Sequence, residues 1–156
     1  MLEKVLLATD GSRYSDNAVA FTVKLLANTS CNLTLLTVIE EPVYPMPWDE
    51  ITPPLETIPP YEDLREDLLD RAEVVLDGTE GPLREAGVAV ERKVRFGQPA
   101  AEILSELEEG GYEMIVVGSH GHGALGEVVL GSVSYRISHH AKCPVLIVRS
   151  DQGQSG

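Results

Sequence analysis

The sequence predicts an α/β fold of one domain, with a single, mostly parallel sheet lying between two layers of helices. Short apolar runs and stretches of helical spacing alternate along the whole chain in the order βαβα, giving five short strands. Most of the runs are continuous rather than alternating, as strands covered on both faces require. Glycine-bearing turns follow two of them, at 10–11 and 118–121, and sheets of this kind bind ligands beyond the carboxyl ends of their strands. At 156 residues the chain is long enough for one core, and neither an internal repeat nor a second domain is visible.

Val5-Leu6-Leu7-Ala8-Thr9 is the first strand. Asp10-Gly11-Ser12 turns the chain, and Ala18, Phe21, Thr22, Leu25 and Leu26 then recur at helical spacing, an inward face on a helix capped by Ser12 or Ser15. Residues 33–39 read as a second buried strand. Residues 42–60 hold seven of the ten prolines. Proline denies helix and ladder alike an N–H, so a long loop is expected there, serving as a lid or a partner surface, with Trp48 as its packing anchor. Helical spacing returns over 61–76 through Leu64, Leu68, Ala72 and Val75, and Pro82 predicts a kink or break before 83–86. Residues 88–96 alternate and read as an edge strand whose Arg92, Lys93 and Arg95 are solvated charges. Gly97-Gln98-Pro99 opens a short helix with Pro99 in first position and Ile103, Leu104 and Leu107 inward. A strand at 114–117, a helix at 132–140 and a strand at 145–148 follow, and 151–156 reads as a frayed tail beyond a domain of residues 1–150.

Composition narrows the function classes. Twenty-five acidic against twelve basic residues give a net charge of −13, which opposes binding to nucleic acid or to an anionic membrane. The same acidity suits a salt-rich cell as well as an ordinary acidic protein. No apolar run approaches the roughly 20 residues of a membrane span, and the N-terminus carries no signal-peptide pattern. Cys31 and Cys143 have neither metal-ligand spacing nor the density of a disulfide scaffold, so a cytoplasmic location is expected. Cys143, before Pro144, reads as a small buried apolar residue.

Gly118-Ser119-His120-Gly121, nine residues, then Gly131-Ser132-Val133-Ser134 is the stretch richest in chemistry. Glycines let a ligand press against bare N–H groups, and the first amides of a helix are unpaired and favour anions. A phosphate cradle is the reading, with bare turn and cap residues as the plain alternative. Gly121, Gly123 and Gly126 also spell GxGxxG, and Val128 extends it to a kinase-like GxGxxGxV. A dinucleotide motif should follow the first strand and be answered by an acidic residue about 20 positions on, and neither holds. The kinase catalytic loop and the Walker lysine are absent as well.

These residues carry a resemblance. Gly118-Ser119-His120-Gly121, nine residues and Gly131-Ser132 is similar at every fixed position to the GxxG(x9)G[ST] signature of ATP-binding universal stress proteins. Asp10-Gly11-Ser12 closing the first strand, the long loop after the second, and Lys142-Cys143-Pro144-Val145-Leu146-Ile147-Val148 resemble that family too, so the likeness covers residues 3–149. It implies a Rossmann-like three-layer sandwich whose five-stranded parallel sheet has the order 3-2-1-4-5. It also implies ATP as ligand, with Gly121, Gly131, Ser132, Val133 and Ser134 around the phosphates and Asp10 on the ribose or on a bound Mg²⁺. Ala8 and Thr9 would line the nucleoside pocket, Val38 would meet the adenine edge through its backbone, and Val117 and Gly118 would complete the floor.

Bulk charge opposes a tetraanionic ligand, so local donors and a divalent cation, Mg²⁺ or Mn²⁺, are expected to be needed. His120, inside the cradle, touches ribose or phosphate or is simply exposed; His122 faces solvent, and His139 and His140 suit a helix end. Arg13 and Arg136 read as surface salt-bridge partners more than phosphate ligands. Three function classes follow. The first is an ATP-binding regulatory stress protein acting on unidentified client proteins. The second is a slow ATPase, or an enzyme that phosphorylates its own Ser132 or Ser134, and the third a nucleotide-independent interaction module. The apolar final strand, Val145–Val148, is an edge strand by the resemblance and predicts a homodimer.

Overall fold

The computed structural model describes residues 1–41, 61–120 and 130–149. The expected proline loop at 42–60 with Trp48, the residues Gly121, His122, Gly123, Gly126 and Val128, and the tail at 151–156 lie outside the described residues. The elements are β1 (Lys4–Ala8), α1 (Arg13–Leu26), β2 (Asn32–Ile39), α2 (Tyr61–Glu85), β3 (Ala89–Phe96), α3 (Pro99–Gly110), β4 (Met114–Gly118), α4 (Ser132–His140) and β5 (Val145–Val148). All pairings are parallel and the order is β3-β2-β1-β4-β5, as expected. Val5 pairs with Leu33 on one side and with Met114 on the other, so β1 sits in the middle of the sheet. Among the described residues no helix is long and apolar enough to cross a membrane.

Strand alternation divides the core. Val5, Leu7, Leu33, Leu35 and Val116 point to one face, where Ala18, Val19 and Leu26 of α1 and Leu76 and Leu83 of α2 cover them. Leu6, Leu36, Ile115 and Val117 point to the other, under Ile103 of α3 and Ile137 of α4. Successive side chains on a strand alternate sides, so an uninterrupted apolar run feeds both layers.

Three sequence expectations change. In α1 the inward stripe is Tyr14, Ser15, Ala18, Val19, Thr22 and Leu26, while Phe21 and Leu25 remain 43% and 37% exposed. Each precedes a buried residue by one position and so stands about 100° round the helix from it. Residues 61–85 form one helix, so Pro82 does not break it. The residue before a proline is pushed out of the helical region by its own Cβ, and here that residue is Gly81, which has none. Buried Leu76, Thr79, Glu80 and Leu83 hold both sides of the proline against the sheet.

The basic residues of β3 are not merely solvated. Arg92 points to the α2 side and pairs with Glu73 at 3.0 Å, Asp77 at 2.6 Å and the buried Glu80. Lys93 and Arg95 reach the α3 side, where the buried Glu106 accepts from Lys93 (2.7 Å), Arg95 (3.0 Å) and the Tyr112 hydroxyl (2.6 Å). Arg95 also pairs with Glu102 and Glu109. These ion pairs tie the edge strand to both helix layers, and their charge blunts an edge that would otherwise pair with another chain.

Burial opposes the charge on Glu106, yet the hydrogen bonds from Lys93, Tyr112 and Arg95 outweigh it and hold the carboxyl below its usual range. The stability it contributes is therefore complete above an unfolded value near 4.5 and is lost as pH falls through the lower folded value. Glu106→Gln should cost about 2 kcal/mol at pH 7 and make stability fall less steeply on acidification, both read from urea unfolding at several pH values.

Candidate functional site

The carboxyl ends of β1 and β4 lie side by side, and each leads into the start of a helix on a different face of the sheet. After Ala8, the Thr9 amide donates to the Leu36 carbonyl at 2.9 Å and extends the pairing one residue. The Thr79 hydroxyl on α2 donates to the Val75 carbonyl (2.7 Å) and lies 3.3 Å from that of Thr9, so Thr9 is the donor of that pair. Thr9 thereby holds α2 to the end of β1.

The Asp10-Gly11-Ser12 turn is closed by its own side chains. Asp10 Oδ1 accepts from the Ser12 amide at 2.9 Å and from the Ser15 hydroxyl at 2.7 Å, and Ser15 Oγ in turn accepts from the Asp10 amide at 3.0 Å. Ser12 is the N-cap, accepting from the Ser15 amide at 3.3 Å. Gly11 has φ of +76°, and a Cβ there would stand 3.0 Å from Val75 Cγ2, so the turn demands glycine on two counts. The start of α1 is thus served from within the chain, and the same bonds orient the Asp10 carboxylate.

The start of α4 is different. Its N-cap is Gly131, which offers no side chain, so Ser132 is the first helical residue rather than the cap. The first bond of the helix runs from the Tyr135 amide to the Gly131 carbonyl at 2.9 Å, and the amides of Ser132, Val133 and Ser134 stand ahead of it. This uncapped turn is anchored to β4: the Ser119 carbonyl accepts from the Gly131 amide and from the Ser134 hydroxyl, both at 2.8 Å, while the Ser119 amide donates to Val148 at 3.0 Å. The buried Ser134 hydroxyl is therefore engaged within the chain. Ser132 is exposed and Val133 half-buried.

A cavity of about 630 Å³ opens between the two turns, within the usual range of small-molecule sites. Ala8, Thr9, Asp10 and Val38 line it from β1 and β2, and Val117, Gly118 and His120 from β4 and its exit. Gly131, Ser132, Val133 and Ser134 line it from α4. Every described member of the expected site is thus brought to one cavity; Gly121 is outside the described residues. His120 Nδ1 lies 3.1 Å from the Ser119 hydroxyl, and its ring sits 5.0 Å from that of Tyr14, which holds it against α1. Among the described residues no group of three or more His, Cys, Asp or Glu is placed to hold a metal ion. A cation here would need ligand oxygens beside the carboxylates of Asp10 and Glu40 that the cavity offers.

Sequence reading missed the α2 wall, Leu68, Arg71, Ala72 and Val75, and the α3 wall, Pro99 and Ile103. The helical spacing of Leu68, Ala72 and Val75 marked them as inward without saying that part of the inward face borders a cavity; for Arg71 there was no signal at all. Gly118 was given a role in the cradle, but its tightest constraint is elsewhere. A Cβ on it would lie 2.7 Å from the Tyr14 carbonyl oxygen and 2.8 Å from its carbon, so glycine lets the first turn of α1 press against the end of β4.

Residues 1–149 match the sequence profile of the Universal stress protein family (Usp). Universal stress protein YxiE of Bacillus subtilis (strain 168) is 35% identical over 151 residues, which is 96% of this chain and 100% of that protein. Among solved structures, hypothetical protein MJ0577 superimposes with a TM-score of 0.79 at 26% identity, over 97% of this chain and 99% of its own. An Arabidopsis thaliana family protein, At3g01520, solved with AMP bound, gives 0.69 at 22% identity over 99% and 95% of the two chains.

Gly118→Ala should lower stability by about 2 kcal/mol, because the methyl group meets backbone that cannot rotate away, whereas a glycine serving only a ligand would tolerate the change. Urea unfolding of the nucleotide-free protein distinguishes the two.

Proposed function

This chain belongs to the universal stress protein family, and from that premise we propose that it is a regulatory protein that binds ATP, with Mg²⁺ or Mn²⁺, in the cavity between β1 and β4. The observation that carries the reading is the uncapped start of α4. Of the two helix termini that border the cavity next to β1 and β4, that of α1 is satisfied by Ser12 and Asp10, while that of α4 leads with the amides of Ser132, Val133 and Ser134 and has no capping side chain among the described residues. Amides at a helix start, aided by the helix dipole, favour phosphate. The AMP held by the Arabidopsis protein is consistent with an adenine nucleotide on this fold.

In this reading the phosphates lie on the α4 amides with Ser132 adding its hydroxyl, Gly121 borders them, and Asp10 faces the ribose or the cation. The adenine meets the Val38 backbone at the end of β2, over a floor of Val117 and Gly118. His120 stands beside the ribose or phosphates. Residues 1–150 act as one nucleotide-binding unit. Binding, rather than turnover, is the activity proposed, because the Asp10 carboxylate that faces the cavity is already bonded to Ser12 and Ser15, a structural task at odds with proton transfer.

The same chain is proposed to act as a homodimer through β5. Val145, Leu146, Ile147 and Val148 are each half-buried on the outer strand of the sheet, an apolar edge suited to pairing with a second copy. A dimer that forms equally with and without nucleotide would favour the interaction-module reading.

Mass spectrometry of protein denatured directly after purification should release an adenine nucleotide, and excess MgATP should raise Tm by several degrees, since a ligand at 100 times its Kd adds about 2.7 kcal/mol. Excess EDTA should weaken binding; equal affinity with and without it would remove the cation from the proposal. Ser132→Pro is the sharpest variant. Position 132 is the first helical residue and Gly131 is already extended (φ −60°, ψ 160°), so proline fits there while deleting one amide. ATP affinity should fall about tenfold with stability unchanged, whereas Ser132→Ala, which removes only the hydroxyl, should fall less.

A further inference from the structure

Eight of the twelve lysines and arginines have an evident partner among the described residues. Arg84, Arg92, Lys93, Arg95 and Lys142 form ion pairs, Lys4 donates to the Gly110 carbonyl, and Arg13 and Arg65 lie over the rings of Tyr14 and Phe96. Arg71 on α2 makes no ion pair with any described residue, although Asp67 stands one turn before it and Asp70 beside it on the same helix. It is also the one lysine or arginine among the described residues that line the cavity. Arg71 is exposed at the margin of the inward stripe formed by Leu68, Ala72 and Val75, all three of which line the cavity with it.

Its position relative to the α4 amides follows from the layers. α2 covers the face of the sheet that α1 covers, and α4 covers the opposite face. Arg71 and the start of α4 therefore belong to opposite walls of one cavity. The cavity also holds the carboxylates of Asp10 and Glu40, and the chain carries a net charge of −13, so an anion entering it meets repulsion from those two groups and from the chain as a whole. A guanidinium keeps its charge at any physiological pH and matches two phosphate oxygens at once.

We propose that Arg71 binds the phosphates of the nucleotide from the α2 wall, closing on them opposite the amides of Ser132, Val133 and Ser134. The proposal rests on the nucleotide-binding reading above and adds a residue that the glycine-rich signature does not contain. Because the contact is to phosphate, Arg71 favours ATP and ADP over adenosine and strengthens binding most at low salt.

Calorimetric titration of the full chain with MgATP and with adenosine, for wild type and Arg71→Gln at two salt concentrations, tests it. The variant should lose about tenfold in ATP affinity, keep its adenosine affinity within twofold, and show a weaker salt dependence; Arg71→Lys should recover part of the loss. Tm without nucleotide should not change, since Arg71 is exposed. Unchanged ATP affinity in Arg71→Gln, with wild type binding normally, overturns this proposal alone. Equal loss for ATP and adenosine overturns it too, by placing the guanidinium on the base. Absence of nucleotide binding by wild type overturns the underlying reading along with it.

Discussion

Strand β1 is flanked in parallel by β2 on one side and β4 on the other, and the geometry of the cavity follows from that position. Parallel neighbours are reached through helices, and the chain builds β2 and β3 outward in one direction before it returns past β1 to build β4 and β5 in the other. The connection leaving β1 enters α1 on one face, while the chain leaving β4 reaches α4 on the opposite face. Neither helix covers the junction, and the gap between their starts is the cavity. Val5, Leu6 and Leu7, fully buried, pin this junction because β1 feeds the core on both sides.

Two helix starts meet at that gap, and the chain treats them unequally. Asp10, Ser12 and Ser15 form a closed set of hydrogen bonds around the start of α1, which fixes the turn and leaves the carboxylate oriented. The start of α4 is held from behind, by the Ser119 carbonyl on Gly131 and Ser134, so its position is set without using its leading amides. A positional anchor on one side and helix-start amides that no described residue engages on the other are what an anion site needs, and rigid placement lowers the cost of ordering it on binding. The acidity of the chain sharpens the requirement. The buried acids Glu80 and Glu106 are paired at the β3 edge, against Arg92, Lys93 and Arg95.

Much of this was legible in the sequence because it depends on local pattern. The five strands and the glycine-bearing turns follow from runs and spacings that neighbouring residues express, and the strand order from the family resemblance that those turns carry. The errors arise where distant parts of the chain decide. Phe21 and Leu25 fit a helical period, but which flank of α1 is buried depends on the sheet beneath it. Pro82 reads as a break until Gly81 is seen to relieve its crowding within a helix held by Leu76 and Leu83. Arg92, Lys93 and Arg95 read as solvated until α2 and α3 bring their acidic partners. The reason for Gly118 lies in the Tyr14 backbone, far off in sequence, and the α2 wall of the cavity has no motif because its residues meet the glycine turns only in the folded chain.

That the α4 amides receive the phosphates is tested most directly by amide-resolved NMR during titration with MgATP. The largest saturable shifts should fall on the amides of Ser132, Val133 and Ser134, with Val38 responding at the adenine end. Saturable binding that leaves those three amides unmoved would contradict the assignment of the α4 start as the phosphate site.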